Sequence, residues 1–204
     1  IVHEVPGADA GQDTSICKGQ SVLIGNAASG GTSPYTYDWS FGIGLDDSTI
    51  AQPIANPTVT SGYRLSVVDD NGCLGSDSVT IIVYNAKADA GDDRTECQGN
   101  SIVIGGSKTA SGGYAPYSYA WKNFAGDTLF TEPNPGIIAD SSSSFIVEIT
   151  DALGCYSRDT MSVTVNLTPT LNLANSIYLS MGDTIILGGS PTVTGGTSPY
   201  TYSW

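Results

Sequence analysis

Apolar and polar residues alternate in short runs along this chain. "YRLSVVD" (63–69) and "SFIVEIT" (144–150) place an apolar residue at every second position, and "DSVTIIV" (77–83) and "DTMSVTV" (159–165) do the same. Successive side chains of a strand point to opposite faces, so this period predicts strands with one face in a core. "SVLIG" (21–25) and "SIVIG" (101–105) alternate or run apolar and read as further strands. Between the last two strands of each set stand "DDNGC" (69–73) and "DALGC" (151–155); Asn71-Gly72 is a strong tight-turn signal.

The same elements return at a fixed spacing. "ADAGQDTSICKGQSVLIG" (8–25) reappears as "ADAGDDRTECQGNSIVIG" (88–105), shifted by 80, and "VVDDNGCLGSDSVTIIV" (67–83) matches "ITDALGCYSRDTMSVTV" (149–165), shifted by 82. "GGTSPYTYDW" (30–39) returns as "SGGYAPYSYAW" (111–121) and "GGTSPYTYSW" (195–204), with Trp39, Trp121 and Trp204 spaced by 82 and 83. The repeat unit is therefore about 80 residues. One copy covers 6–86, a second 87–167, and 168–204 is the opening part of a third; residues 1–5 align with the last strand of a preceding copy. The chain is expected to be a window on a longer array. About seven short strands per unit predict an all-β fold of tandem immunoglobulin-like sandwiches, joined by short linkers into a stiff rod.

Composition agrees with that reading. Only 13% of the 204 residues are charged, Gly, Ser and Thr are abundant, and 40% apolar residues suffice for a core. The net charge of −13 repels phosphate backbones, so no nucleic-acid partner is expected. No apolar run approaches the ~20 residues needed to span a bilayer, so no membrane insertion is expected.

Each full copy carries two cysteines at equivalent places: Cys17 and Cys97 before the "SVLIG"-type strand, Cys73 and Cys155 after the late hairpin. Zinc calls for CxxC pairs and histidines, and the chain has one histidine, His3. The expectation is one disulfide within each copy, Cys17–Cys73 and Cys97–Cys155, in an oxidising extracellular setting. Ser180 occupies the corresponding place in the third copy, so that copy's hairpin is expected to lack a cysteine.

The order Gly-Gly, Pro-Tyr-x-Tyr-x-Trp, then Val-x-Asp-x-x-Gly-Cys, as in "GGTSPYTYDWS" followed by "SGYRLSVVDDNGC", resembles the SprB-type repeats of Bacteroidetes gliding adhesins. "YDWSFG" (37–42) is similar to the Trp-x-Phe-Gly core of the PKD domain. The resemblance implies a long cell-surface or secreted protein, exported by the type IX system and adhesive or filamentous. It brings no catalytic residue set, and the second copy departs from it with "WKNFAG" (121–126).

Catalysis is not expected, because a Ser/His nucleophile needs a histidine held by a third group and His3 lies near the terminus. Acidic residues cluster at the copy openings (Asp9, Asp13, Asp89, Asp92, Asp93) and in the hairpins (Asp69, Asp151). They read either as turn chemistry, with carboxylates bonding their own backbone, or as ligands of Ca²⁺, the one cofactor entertained. The third opening has Asn172 and Ser176 instead. Asp followed by Ser or Thr recurs and resembles a Bacteroidetes O-glycosylation pattern, with acceptors Ser48, Ser78, Thr128, Thr160 and Thr184; the alternative is plain strand alternation. Tyr37 and Trp39, Tyr119 and Trp121, and Tyr202 and Trp204 alternate along their strands and are expected in the core rather than on a sugar platform. Three functions stay open at this point. One is an adhesive stalk whose partners are neighbouring repeats, a surface polysaccharide or other copies of itself. The second is a carbohydrate-binding or spacer module of a secreted hydrolase. The third is a filament subunit completed by strand addition.

Overall fold

The computed structural model describes residues 2–41, 43–173 and 177–203, so Trp204 and Ser176 lie outside the described residues. Every regular element among the described residues is a β-strand. The first six are β1 (Thr14–Cys17), β2 (Val22–Leu23), β3 (Thr36–Ser40), β4 (Ile54–Ala55), β5 (Ser61–Val68) and β6 (Leu74–Tyr84).

Strands β5 and β6 form the hairpin that the alternation predicts, in register from Ser61↔Ile81 to Val68↔Leu74. Their inward positions Tyr63, Leu65, Val67, Val79 and Ile81 are buried. On one side β3 pairs antiparallel with β5; on the other β1 pairs parallel with β6, in register from Thr14↔Ile81 to Cys17↔Tyr84. The sheet order is therefore β1-β6-β5-β3, with β2 and β4 as a separate antiparallel pair. A sheet built on a late hairpin flanked by the tryptophan strand, facing a separate strand pair, is the layout of an immunoglobulin-like sandwich. Ile24 and Ala55, next to and within that pair, share one core cluster with Trp39, Tyr63 and Leu65. Trp39 is 4% exposed, and its indole N–H donates to the Ile50 carbonyl at 3.0 Å, so burial leaves no donor unpaired.

The rest of the chain repeats this plan with β7 (Lys87–Ala88), β8 (Arg94–Cys97), β9 (Ser101–Val103), β10 (Ala110–Ser111), β11 (Tyr117–Lys122), β12 (Thr128–Phe130), β13 (Gly136–Ile138), β14 (Ser143–Asp151) and β15 (Tyr156–Asn166). The main sheet runs β12-β11-β14-β15-β8, and β8 again lies parallel to the last strand, from Val163↔Arg94 to Asn166↔Cys97. Trp121, Val147, Ile149 and Met161 are buried, and Tyr119 is half-buried. Of the third copy, β16 (Thr170–Leu171) and β17 (Val193–Thr194) pair with each other. Tyr202, expected in a core, is instead 52% exposed, because the described part of that copy has no second sheet to close over it.

Packing divides the chain into two compact units. The first comprises 1–88, 110–118 and 148–157; the second comprises 89–109, 119–147 and 158–204. The hairpin of the second sequence copy thus belongs to the first unit. So does the pairing of β7 with β10, through Ala110↔Ala88 and Ser111↔Lys87.

Gly25 and Gly72 separate two uses of glycine. Both have positive φ, +76° and +78°. A Cβ on Gly25 would lie 2.4 Å from the Ala51 carbonyl oxygen and 2.6 Å from the Trp39 ring, whereas one on Gly72 meets nothing within 4 Å. Gly72→Ala should therefore cost about 1 kcal/mol, the left-handed penalty alone. Gly25→Ala should cost about 3 kcal/mol, since overpacking adds to that penalty. Urea unfolding of the two variants checks the order; equal midpoints would contradict it.

Candidate functional site: the hairpin knot and the disulfide

The sequence stretch Asp69–Cys73 closes on itself through one carboxylate. Asp69 is 5% exposed, and its Oδ1 accepts the N–H groups of Asn71 at 3.0 Å and Cys73 at 2.8 Å. Its Oδ2 reaches across the fold to accept the N–H of Thr32 at 3.0 Å. Thr32 follows Gly30 and Gly31, both at positive φ, and a Cβ on Gly31 would stand 3.0 Å from that oxygen. Asp151 repeats the device with Leu153 at 2.9 Å, Cys155 at 2.8 Å and Tyr114 at 2.8 Å. There a Cβ on Gly113 would approach the carboxylate to 2.6 Å. The Gly-Gly turn and the Asp-x-x-Gly-Cys hairpin, 37 residues apart in each copy, are two halves of one knot.

The first tyrosine of each Pro-Tyr-x-Tyr-x-Trp phrase secures the other side of the turn. The hydroxyls of Tyr35, Tyr117 and Tyr200 donate to the carbonyls of Gly30, Gly112 and Gly195. Tyr35 and Tyr117 thus brace the turn; Tyr35 and Tyr37 are both half-buried against the core, and the Tyr37 oxygen accepts the Ala28 N–H at 3.2 Å.

The knot delivers a cysteine, and here the expected pairing is corrected. Cys17 is bonded to Cys155, with Cα atoms 5.3 Å apart, and Cys73 and Cys97 are free thiols. The parallel register explains this. Cys17 lies opposite Tyr84, at the far end of β6, whereas Cys73 precedes the start of that strand. Eleven residues of extended chain between positions 73 and 84 span about 35 Å, against the ~7 Å Cα limit for a disulfide. Cys97 opposite Asn166 stands equally far from Cys155. Within the first unit, Cys155 arrives beside Cys17 because the Asp151 hairpin docks on Tyr114, whose ring packs edge-on against Tyr84 at 5.3 Å between centroids.

The remaining acidic residues act one by one. Asp13 Oδ1 accepts the Thr80 N–H at 2.7 Å and Asp93 Oδ1 the Ser162 N–H at 2.8 Å, pinning the starts of the parallel pairings. Asp9 and Asp89 each accept the N–H two residues on, from Gly11 and Gly91, both at 2.9 Å, as local turns; Asp92 is exposed. Among the described residues no three acidic, histidine or cysteine side chains gather as a cation site. Asp77 and Asp159, noticed in the sequence only as part of an Asp-Ser/Thr pattern, accept the N–H groups of Ala10 and Ala90, both at 2.8 Å. Their signal was recurrence at the same place in both copies. The hydroxyl residues of the pattern, Ser48, Ser78, Thr128, Thr160 and Thr184, are all exposed.

No protein-family model and no curated protein matches the chain. Solved structures similar to it include an I-band fragment from titin, at 13% identity over 83% of this chain and 68% of that one, with a TM-score of 0.48. DIP-gamma IG1+IG2 is 8% identical over 79% of this chain and 97% of that one, with a TM-score of 0.49. The N-terminal eight Ig domains of Down Syndrome Cell Adhesion Molecule are 16% identical over 97% of this chain and 33% of that one, with a TM-score of 0.41. It is the strand order described above that places the chain among immunoglobulin-like folds.

Two predictions belong to this site. Burial pushes the Asp69 carboxyl up, but the N–H groups of Cys73, Thr32 and Asn71 outweigh it and hold it below the usual carboxylate range. A depressed folded value contributes stability above the unfolded pKa of about 3.9, lost as pH falls through the folded value. Asp69→Asn should therefore melt lower than the parent at pH 7, and the gap should narrow steadily below about pH 4. A gap that stays constant with pH would show that the charge is not what the knot uses. The Cys73 thiol is pushed up by burial and by the Asp69 charge. Alkylation without reductant should accordingly modify the exposed Cys97 before Cys73 and leave Cys17 and Cys155 unlabelled, as read by peptide mapping.

Proposed function

We propose that this chain is a structural and adhesive segment of a long extracellular repeat protein, built to carry tension. The observation that supports this is the Cys17–Cys155 bond, which ties the opening strand of one sequence copy to the hairpin of the next across 138 residues. A disulfide confined to one copy would stabilise that copy alone. This one makes unfolding of the first copy and of its junction a single event. Closing so long a loop stabilises by about 5 kcal/mol in the chain-entropy model. Disulfides persist in oxidising compartments, which supports an extracellular location, and no helix among the described residues is long and apolar enough to cross a membrane. The order of motifs supports a Bacteroidetes-type surface repeat as the finer identity.

The hydrolase-module reading draws on an exposed row of aromatics, and the aromatic row here is inward: Trp39 and Trp121 are buried and Tyr37 is half-buried. The acidic surface, with seven basic residues against 20 acidic ones, keeps neighbouring chains apart and suits a stalk. The five exposed Asp-Ser/Thr hydroxyls are proposed glycan acceptors on that surface; an intact mass equal to the bare polypeptide in material from its native host would end that part of the reading.

Stretching single molecules from their ends tests the mechanical role. With the disulfide intact, the loop between its cysteines, which are 138 positions apart, is shielded from the load. Reduction should therefore release about 470 Å of additional contour length. Equal contour lengths with and without reductant would refute the tension-bearing role of the bond.

A further inference from the structure

We infer that Cys97 is the receiving half of a second disulfide junction, whose partner is the Gly-Cys hairpin of the sequence copy that begins at 168. The inference rests on the array reading above.

Cys97 reproduces the setting of Cys17. Each ends a short strand lying parallel to a long one, opposite Asn166 and Tyr84 respectively. The next residue then donates its N–H to that same partner's carbonyl, Gln98 to Asn166 at 2.9 Å and Lys18 to Tyr84 at 2.8 Å. A tight turn follows in both, with Asn100 N–H on the Cys97 carbonyl at 3.2 Å and Gln20 N–H on that of Cys17 at 2.9 Å.

The surroundings match as well. At Cys17 the chain leaving β6 pairs with β10, and the Gly112-Gly113 turn then presents Tyr114 to the hairpin that brings Cys155. At Cys97 the chain leaving β15 enters β16, which pairs with β17 through Thr170↔Thr194 and Leu171↔Val193. The Gly195-Gly196 turn follows, with positive φ values of +69° and +65° against +62° and +59° at Gly112 and Gly113, and with the equivalent tyrosine brace from Tyr200. Thr197 stands at the place of Thr32 and Tyr114, whose N–H groups hold Asp69 and Asp151. A cleft of about 260 Å³ opens here, lined by Cys97, Leu167, Pro169, Gly196, Thr197 and Tyr200. The second unit thus carries the seat of a hairpin, with an exposed thiol at its edge.

The rule that follows is that the opening cysteine of each copy bonds the hairpin cysteine of the next. Cys73 is then the hairpin half of a junction with a preceding copy. Ser180 no longer speaks for its own copy's hairpin, which carries a cysteine under this rule. The bond forms as the two thiols surrender two protons and two electrons. Oxidised glutathione takes up the electrons by exchange and leaves as two molecules of reduced glutathione.

The test extends the chain past Trp204 with a duplicate of its own residues 40–86, which continues the third copy as Ser40 continues from Trp39. After oxidation by glutathione, peptide mapping without reduction should join Cys97 to the appended duplicate of Cys73 and leave the original Cys73 alkylated. An alkylated Cys97, or an appended cysteine bonded elsewhere, overturns the inference. A second variant needs no appended segment to fold. In Cys17→Ser the same rule leaves Cys155 a free thiol after oxidation, and a Cys97–Cys155 bond would overturn it. Mapping reads only which sulfurs join. A failure here is therefore distinct from a failure of the proposed mechanical role, which the force experiment addresses.

Discussion

The parallel pairing of an opening strand with the last strand of its own sheet is the constraint on which this structure turns. Once Thr14–Cys17 lies alongside Ile81–Tyr84 in the same direction, the end of the opening strand is the end from which the chain leaves the sandwich. Cys17 is therefore carried to the exit, and the hairpin cysteine of the same copy is left at the entrance. A parallel pair cannot be joined by a short hairpin, so this choice also sets the long path through β2 to β5 that encloses the core. Asp13 and Asp93 guard it, each occupying the backbone donor where the parallel pairing begins.

The second organising element is the buried carboxylate of each hairpin. A carboxylate out of water is tolerated only when its oxygens are bonded, and Asp69 and Asp151 each accept three backbone N–H groups. One of those three comes from the turn before the tryptophan strand, so the bond that satisfies the charge also fixes where the hairpin points. Alanine at Gly31 or Gly113 would press on that oxygen. The turn, the carboxylate and the cysteine are thus a single part, and its output is the direction in which the sulfur faces.

Taken together these parts describe a chain that assigns the acidic residues named here to backbone geometry and one cysteine pair, Cys17 and Cys155, to a bond across 138 positions. Carboxylates bonded to N–H groups fix the turns they close, and the Cys17–Cys155 bond ties two distant parts of the first unit covalently. Trp39 and Trp121 are buried with their indole donors bonded to backbone carbonyls, which turns the tryptophan of the recurring phrase between positions 30 and 39 inward rather than onto a platform.

Strand period and the burial of Trp39 and Trp121 were legible in the amino-acid sequence, because alternation of Tyr63, Leu65 and Val67 or of Val147 and Ile149 reflects a local requirement that each strand meets by itself. The hairpin at Asn71-Gly72 was legible for the same reason. The exposure of Tyr202 was not, since it depends on which strands oppose it, and neither was the bracing role of Tyr35 and Tyr117. The cysteine pairing was the largest gap: two cysteines per copy suggest two intramolecular partners, and equal spacing in both copies fits either choice. Only the tertiary structure decides, because whether β1 runs parallel or antiparallel to β6 leaves the period of apolar residues unchanged while moving Cys17 from one end of the sandwich to the other.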